Sequence, residues 1–443
     1  MTTPMGSGDA PDVRHERQRP LRVAHVSAWW KGGAVAMIRI HDGLRESGID
    51  SRIHCIEPIE GSLPNAHDLR RIRPTIRQKW LRTLRLDSHT WSRRIKRARR
   101  SNPPCEVFSP PVAINPHDVS AVTRDVDVIH LHWVGGYFDF KTFFESVSVP
   151  VVWTLHDQNP YFGGFHYQGD LDAATTLLPL EHELRSIKRD ALSSINLGIA
   201  ANSRWNHDLT QSTDVLPSTA IRDTVYLPLP IDSYVPIAKR VAKQELSIMP
   251  ERFIVGFACA SIDNRRKGFY DLIEALDLLP NRVKANTTLL SFGRDPDKDL
   301  QQKVGVQWRH LGHLEPGMDQ SRAYSAMDTF VTPSVEEAFG QTPLEALACK
   351  TSVIGTRVGG IPETVLEERT GLLVPARSPQ RIADAIVRMH DSPELRERCG
   401  IAGRELASTR HAPESIARQY IGLYDRLLER HASFCHQNVR HAA

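Results

Sequence analysis

Short, nearly continuous apolar runs recur along the chain, with amphipathic stretches between them. In the first half the runs are 21–27, 51–56, 127–133, 150–157 and 197–202. In the second they are 254–258, 288–293, 307–311, 329–334, 352–356 and 371–374. Runs this short and this apolar predict strands covered on both faces, as in parallel sheets. Helical spacing appears between them, from Ile38 to Leu44, Glu181 to Ile195 and Phe269 to Leu279, and dominates from Pro379 to about Arg430. Strand–helix alternation in both halves predicts an α/β chain with two doubly wound sheets. The proline-rich stretch Tyr226-Leu227-Pro228-Leu229-Pro230-Ile231-Asp232 reads as the linker between them.

Composition narrows the class. The 443 residues suffice for two cores, and 40% apolar with 24% charged residues is ordinary for a globular protein. No apolar run is long enough to span a bilayer. Residues 1–20 lack an apolar core of the secretory type and read as a disordered arm. The six cysteines are scattered, without a CxxC pair, which fits reduced thiols in a cytoplasmic protein. A net charge of +4 does not by itself imply nucleic acid, and none is expected as a partner. From Arg70 to Arg100 there are thirteen Lys or Arg residues and one acid, Asp87, interleaved with Trp80, Leu81, Leu84, Trp91 and Ile95. That segment reads either as solvated helices or as a peripheral contact with an anionic membrane at the inner face of the plasma membrane.

The most informative stretch runs from Glu336 to Leu347. It follows the strand Thr329–Ser334 and opens a helix, with Thr342 as expected N-cap and Pro343 in the first helical position. A helix start presents free amides that attract phosphate. Glu337 and Glu345 bracket the turn, and carboxylates there accept hydrogen bonds from hydroxyls. The turn therefore suits a ligand with both groups, such as a nucleoside diphosphate sugar. The plain alternative is a capping box between Glu345 and Thr342, with Glu337 a solvated loop acid. In the first half, Trp29-Trp30-Lys31-Gly32-Gly33-Ala34 joins strand to helix through a glycine pair, either a phosphate approach or only a tight turn. His130 and His132 share one strand face without an evident third metal ligand, so packing or acceptor contact is expected. His156-Asp157 ends a strand beside the aromatic loop Tyr161-Phe162-Gly163-Gly164-Phe165-His166-Tyr167. Polar strand ends beside such a loop are where open α/β sheets take ligands.

Glu337-Ala338-Phe339-Gly340-Gln341-Thr342-Pro343-Leu344-Glu345 resembles the donor-site motif of retaining glycosyltransferase family 4, two glutamates with seven residues between. The likeness covers roughly 21 to 430. Leu131-His132-Trp133, Thr154-Leu155-His156-Asp157 and Gly163-Gly164-Phe165-His166-Tyr167 look like the branch that builds exopolysaccharides such as colanic acid. The resemblance implies a GT-B architecture, two facing Rossmann-like doubly wound domains with a central cleft. The expected divisions are an acceptor domain at 21–230, a donor domain at 231–412, and a C-terminal helix and tail at 413–443 that crosses back to the first domain.

The resemblance also implies a retaining, metal-independent transfer of a sugar from a nucleoside diphosphate donor to a saccharide or lipid-linked acceptor, with no cofactor required. By it, Glu345 would accept from the donor ribose and Glu337 from sugar hydroxyls. Backbone amides from Ala338 and Phe339 through Gly340, Gln341 and Thr342 would hold the sugar and distal phosphate. Lys267, with Arg265 and Arg266, would neutralise the diphosphate. Gly32 and Gly33 would close over the donor, and His156 would sit at the anomeric centre. His132, Trp133, Asp157, Phe165, His166 and Tyr167 would meet the acceptor. One departure stands out: the family usually has an arginine five residues before this lysine, and here that position is Ile262. Asp295-Pro296-Asp297 superficially resembles a metal-binding DxD and reads as a turn. Two other readings are a non-catalytic nucleotide-sugar scaffold and a nucleotide-sugar epimerase; the glutamate pair disfavours the epimerase.

Overall fold

The computed structural model describes residues 19–30, 34–59, 63–72, 90–100, 105–114, 117–262, 264–296, 300 and 302–442, with side chains as far as 433. The glycine pair Gly32 and Gly33, the arm before residue 19, Asp297, and 73–89 of the basic segment lie outside them.

Two all-parallel sheets carry the fold. The first contains β1 (Arg22–Ser27), β2 (Asp50–Cys55), β3 (Ala66–Asp68), β4 (Val128–Leu131), β5 (Val151–Leu155), β6 (Leu197–Ala201) and β7 (Ile221–Thr224), in the order β3-β2-β1-β4-β5-β6-β7. The second contains β8 (Phe253–Ser261), β9 (Thr287–Arg294), β10 (Gln307–His310), β11 (Thr329–Thr332), β12 (Ser352–Thr356) and β13 (Gly371–Val374), in the order β10-β9-β8-β11-β12-β13. Each order reverses direction once, at β1/β4 and at β8/β11, and ligand crevices of open α/β sheets form outside such points.

Strand alternation sets the two faces of each sheet. Val23 and Val128 face one apolar cluster, while Ala24, Ile129 and Leu131 face another. The long helix Pro413–Ala442 lies on the first of these faces, where Tyr420, Leu423, Tyr424 and Leu427 share a cluster with Val152 and Ala200. That cluster also takes in Phe339, Leu344 and Leu347 beside β11, so one core joins the two halves. His25 and His130 are paired in register across β1 and β4 and point into this layer. Among the described residues no helix is long and apolar enough to cross a membrane.

Candidate active site

The donor turn is built by close backbone packing. The helix Gln341–Ala348 begins two residues earlier than the sequence suggests, on Gly340 in the left-handed region at φ 93°. Thr342 is thus inside the first turn, not its cap, and no side chain caps this helix. Its first amides keep no partner within the helix, as at any α-helix start. Gly359 (φ 52°) packs so tightly that a Cβ there would lie 1.4 Å from the Glu337 carbonyl oxygen. Glu337 is half-buried against Lys267, whose ammonium forms a short ion pair with it, and Arg266 Nη1 stands 3.6 Å away. Burial alone would raise the Glu337 pKa, but the two cations overcome it and hold the group below its ordinary value.

Glu345 makes no capping box. Its carboxylate accepts from Arg39 Nη2 (2.9 Å), the Tyr234 hydroxyl (2.9 Å) and the Tyr324 hydroxyl (3.0 Å). Three buried donors outcompete a backbone amide at the helix end, so the capping-box alternative does not form. Arg39 also donates to Gln341 Oε1 at 3.1 Å. Since Arg39 lies on the helix Val35–Glu46 after β1, this bond crosses the cleft. Other crossings flank it. Glu336 accepts from the amides of Gln168 (2.8 Å) and Gly169 (3.1 Å), and Ser203 Oγ donates to the Ala338 carbonyl at 2.8 Å. The Glu363 carboxylate accepts from the Arg204 and Trp205 amides and from the Tyr226 hydroxyl.

Ile262, at the position of the family's arginine, is 1% exposed and packs in the apolar cluster of the second sheet. Arg265 is exposed. Arg266 lies 3.9 Å over the Tyr167 ring and pairs with Glu106 at 2.8 Å. It ties the two halves together instead of standing free for a phosphate. Tyr167, expected at the acceptor, thus also bridges to the second half through Arg266.

The first half contributes a pocket at the C-terminal ends of β1, β4 and β5, lined among others by Trp29, His132, Trp133, His156, Asp157 and His166. Two elements shape it. Glu181 on the helix Leu178–Leu192 accepts from the Gly163 and Gly164 amides, and Lys188 on the same helix donates to the Asn159 (2.6 Å) and Phe162 (2.5 Å) carbonyls. Burial brings the Lys188 ammonium down to about 7. These bonds fix the aromatic loop. Phe165, expected at the acceptor, is instead fully buried, edge-on to Phe108 at 5.0 Å; the space above Gly164 lets that ring approach the backbone.

His156 stacks on Trp133 with centroids 3.9 Å apart, and burial lowers its pKa to about 4, so it is neutral at pH 7. Its Nε2 meets His132 Nδ1 at 2.8 Å, and His132 Nε2 meets His25 Nδ1 at 3.0 Å. His25, His130 and His132 have ring nitrogens within 4.8 Å of one another, the spacing of a metal trio. Both nitrogens of His130 are already engaged, with the Tyr424 hydroxyl and Thr154 Oγ1 at 2.7 Å each, and both of His132 with other histidines. A metal would have to replace those bonds. The third histidine was invisible in the sequence, because β1 and β4 become neighbours only through the sheet order. Arg39, Tyr234 and Tyr324 were missed for the same reason.

Comparison with known proteins bears on this geometry. Residues 252–392 match the family profile described as "Glycosyl transferases group 1". A D-inositol 3-phosphate glycosyltransferase of Saccharomonospora viridis is 43% identical over 308 residues, covering 63% of this chain and 66% of that protein. An alpha-maltose-1-phosphate synthase of Mycolicibacterium smegmatis is 37% identical over 130 residues, 28% of this chain and only 33% of its own length. Among solved structures, a sucrose-phosphate synthase from Thermosynechococcus elongatus has TM-score 0.66 at 20% identity, covering 93% of this chain and all of that one. Anabaena Alr3699/HepE, solved with UDP and glucose, has TM-score 0.62 at 16% identity over 92% of this chain and 100% of its own. At such identities the likeness is one of fold, and the fold is GT-B.

Proposed function

We propose that this chain, whose residues 252–392 match the group 1 glycosyltransferase profile, is such an enzyme and moves a sugar from a nucleoside diphosphate donor to a hydroxyl of a saccharide or lipid-linked acceptor. The observation that carries the reading is the partly buried Glu337–Lys267 pair at the start of the helix Gln341–Ala348. A carboxylate for sugar hydroxyls, an ammonium and a row of free amides for the diphosphate meet there. HepE, of the same fold, is solved in complex with UDP and glucose, which supports a nucleotide sugar as the donor.

In this reading Lys267 and the helix start stabilise the negative charge that grows on the leaving diphosphate, so no metal ion is needed. Glu337 orients the sugar through its hydroxyls. His156, neutral and held by Trp133 and His132, offers a hydrogen bond beside the anomeric carbon without adding charge to an oxocarbenium-like transition state. Retention of the anomeric configuration, which the likeness to glycosyltransferase family 4 implies, would follow from attack of the acceptor hydroxyl on the face that the diphosphate leaves. The branch motifs around His132, His156 and His166 favour cell-surface polysaccharide synthesis as the setting.

Ile262 supports a second reading, a nucleotide-sugar scaffold without turnover, because its apolar side chain in the core offers the diphosphate nothing. A thermal-shift and hydrolysis screen of nucleoside diphosphate sugars separates the two. A donor that stabilises the protein and slowly releases its diphosphate, both lost in Lys267→Ala, supports transfer. Stabilisation without release supports the scaffold. Peripheral membrane contact rests on the helix Thr90–Arg99, where Arg94 is already paired with Glu183 and Ile95 is buried. Equal sedimentation with neutral and anionic vesicles would remove that idea.

A further inference from the structure

Three histidines run from the core of the first sheet toward the C-terminal ends of its strands, and their protons can be counted. His156 Nε2 meets His132 Nδ1 at 2.8 Å, and His132 Nε2 meets His25 Nδ1 at 3.0 Å. His25 and His132 are buried, and burial keeps all three imidazoles neutral at pH 7. A neutral imidazole carries one proton, on one of its two nitrogens. His132 therefore donates through one nitrogen and accepts through the other, so both hydrogen bonds point the same way. Two protons fill the two bonds. The third is left at one end, on His25 Nε2 or on His156 Nδ1. The three tautomers thus change together or not at all.

The two ends differ. His156 is half-buried and its Nδ1 remains accessible, so water or a ligand can satisfy either a donor or an acceptor there. His25 Nε2 is buried and has no hydrogen-bond partner among the described residues. A proton on it would be a polar hydrogen sealed in the core without an acceptor. Charge acts in the same direction. Asp157, next to His156, accepts from the Trp133 indole (3.0 Å), His166 Nδ1 (2.8 Å) and the Asn159 amide (2.8 Å), and these donors outweigh burial and keep it ionised. Its negative charge favours the positive end of the N–H dipoles at His156 and not in the core. His130, with its ring centroid 4.7 Å from that of His25, bonds the Tyr424 and Thr154 hydroxyls and stands outside the chain.

We propose that His25 and His132 are positioning residues that fix His156 as the Nδ1–H tautomer, so that His156 meets its ligand as a hydrogen-bond donor. His25 Nδ1–H donates to His132 Nε2, His132 Nδ1–H donates to His156 Nε2, and His156 Nδ1–H is left facing outward. The ligand oxygen that meets it must accept, which closes to His156 the role of general base toward a hydroxyl. His25 acts from two imidazoles away, without touching the ligand. The consequence for sugar transfer rests on the transferase reading above; the tautomer itself does not.

The test is long-range proton–nitrogen NMR of the full chain, labelled at its histidine nitrogens, at neutral pH and without ligand. The protonated and bare nitrogens of a neutral imidazole resonate far apart, and His156 is assigned by the signals lost in His156→Gln. Its Nδ1 is expected to be protonated and its Nε2 bare. A proton on Nε2, or an even mixture of the two tautomers, overturns the proposal. In His25→Leu the donor to His132 is gone, and the His156 signals should move toward such a mixture. In His25→Asn, whose amide N–H can stand where Nδ1–H stood, they should return to the wild-type pattern. A merely structural role would lower stability in these variants without moving the tautomer, so an unchanged His156 pattern in His25→Leu also overturns the proposal. The wild-type spectrum decides even where His25→Leu fails to fold. Release of UDP from UDP-glucose should fall about fivefold or more in His25→Leu, the worth of one hydrogen bond, and recover in His25→Asn. Neither release nor a thermal shift with UDP in the wild-type protein would count against the transferase reading and not against the tautomer, which is read without ligand.

Discussion

Arg39 and Glu345, 306 residues apart, form a buried ion pair with Nη2 and Oε1 at 2.9 Å. The guanidinium comes from the helix after β1 and the carboxylate from the helix after β11, so the pair spans the cleft. Both side chains are at most 10% exposed. The carboxylate expected to bind a donor ribose is therefore already satisfied by protein. On the proposed donor role of Glu345, donor entry would either displace Arg39 or share Glu345 with it, which would couple nucleotide binding to the seating of one half on the other.

Breaking this pair from one side should destabilise strongly. Arg39→Met leaves Glu345 with only two phenol donors, at an expected cost of roughly 3–5 kcal/mol. The double variant Arg39→Met, Glu345→Leu should lose clearly less than the two single losses added together. Urea unfolding of the four proteins measures it, and strict additivity would show that the pair is not coupled.

Lys267 should matter to chemistry more than to folding. It is partly exposed, and among the described residues its ion-pair partner is Glu337. Lys267→Met should lower kcat/KM by on the order of 10²–10³-fold, as when one donor to a developing negative charge is removed. The melting temperature should move little. A variant with normal turnover would mean that the leaving diphosphate is stabilised by the helix start alone.

Gly359→Ala tests the packing under the donor turn. The backbone there has φ 52°, and the added Cβ would collide with the Glu337 carbonyl oxygen. The turn must shift, carrying Glu337 away from Lys267. An expected loss of more than about 1 kcal/mol comes from the left-handed backbone alone, before the collision is counted. Calorimetry and UDP titration would both register the change; an unaltered pair of values would show that the turn yields freely.

Much of this site was readable because it is local. The turn from Glu337 to Glu345 is contiguous, and the strands before it are apolar runs whose period leaves little choice. What escaped is what the topology brings together. β3 (Ala66–Asp68) and β7 (Ile221–Thr224) are short edge strands with polar sequence, so they carry no apolar run to detect. Phe165 looked like a ligand platform because aromatic loops often are one, but a glycine beside it admits Phe108 and turns it into core. Arg39 gave no signal at all: an arginine on an amphipathic helix ordinarily faces solvent, and only the partner helix across the cleft reveals its use.

The buried histidines make the protein sensitive to mild acid. Burial lowers the pKa of His41, His54, His156 and His411 to about 4, and holds His25, His130 and His132 well below the ordinary value. In the unfolded chain each returns to about 6.5. Above that pH both states are neutral and stability is complete. As the pH falls from 6.5 toward 4, the unfolded chain binds protons that the native protein refuses, so stability is lost. Each group contributes up to about 1.4 kcal/mol per pH unit within that window. The urea midpoint should thus fall steeply between pH 7 and 5. His130→Gln, which can still bond the Tyr424 and Thr154 hydroxyls, should reduce the slope by about one proton at the lower end of that range. The same shifts keep His156 uncharged through this range, so lost activity there should track unfolding and not titration of the site. Midpoints that stay level from pH 7 to 5 would mean that the histidine layer opens and hydrates without unfolding the chain.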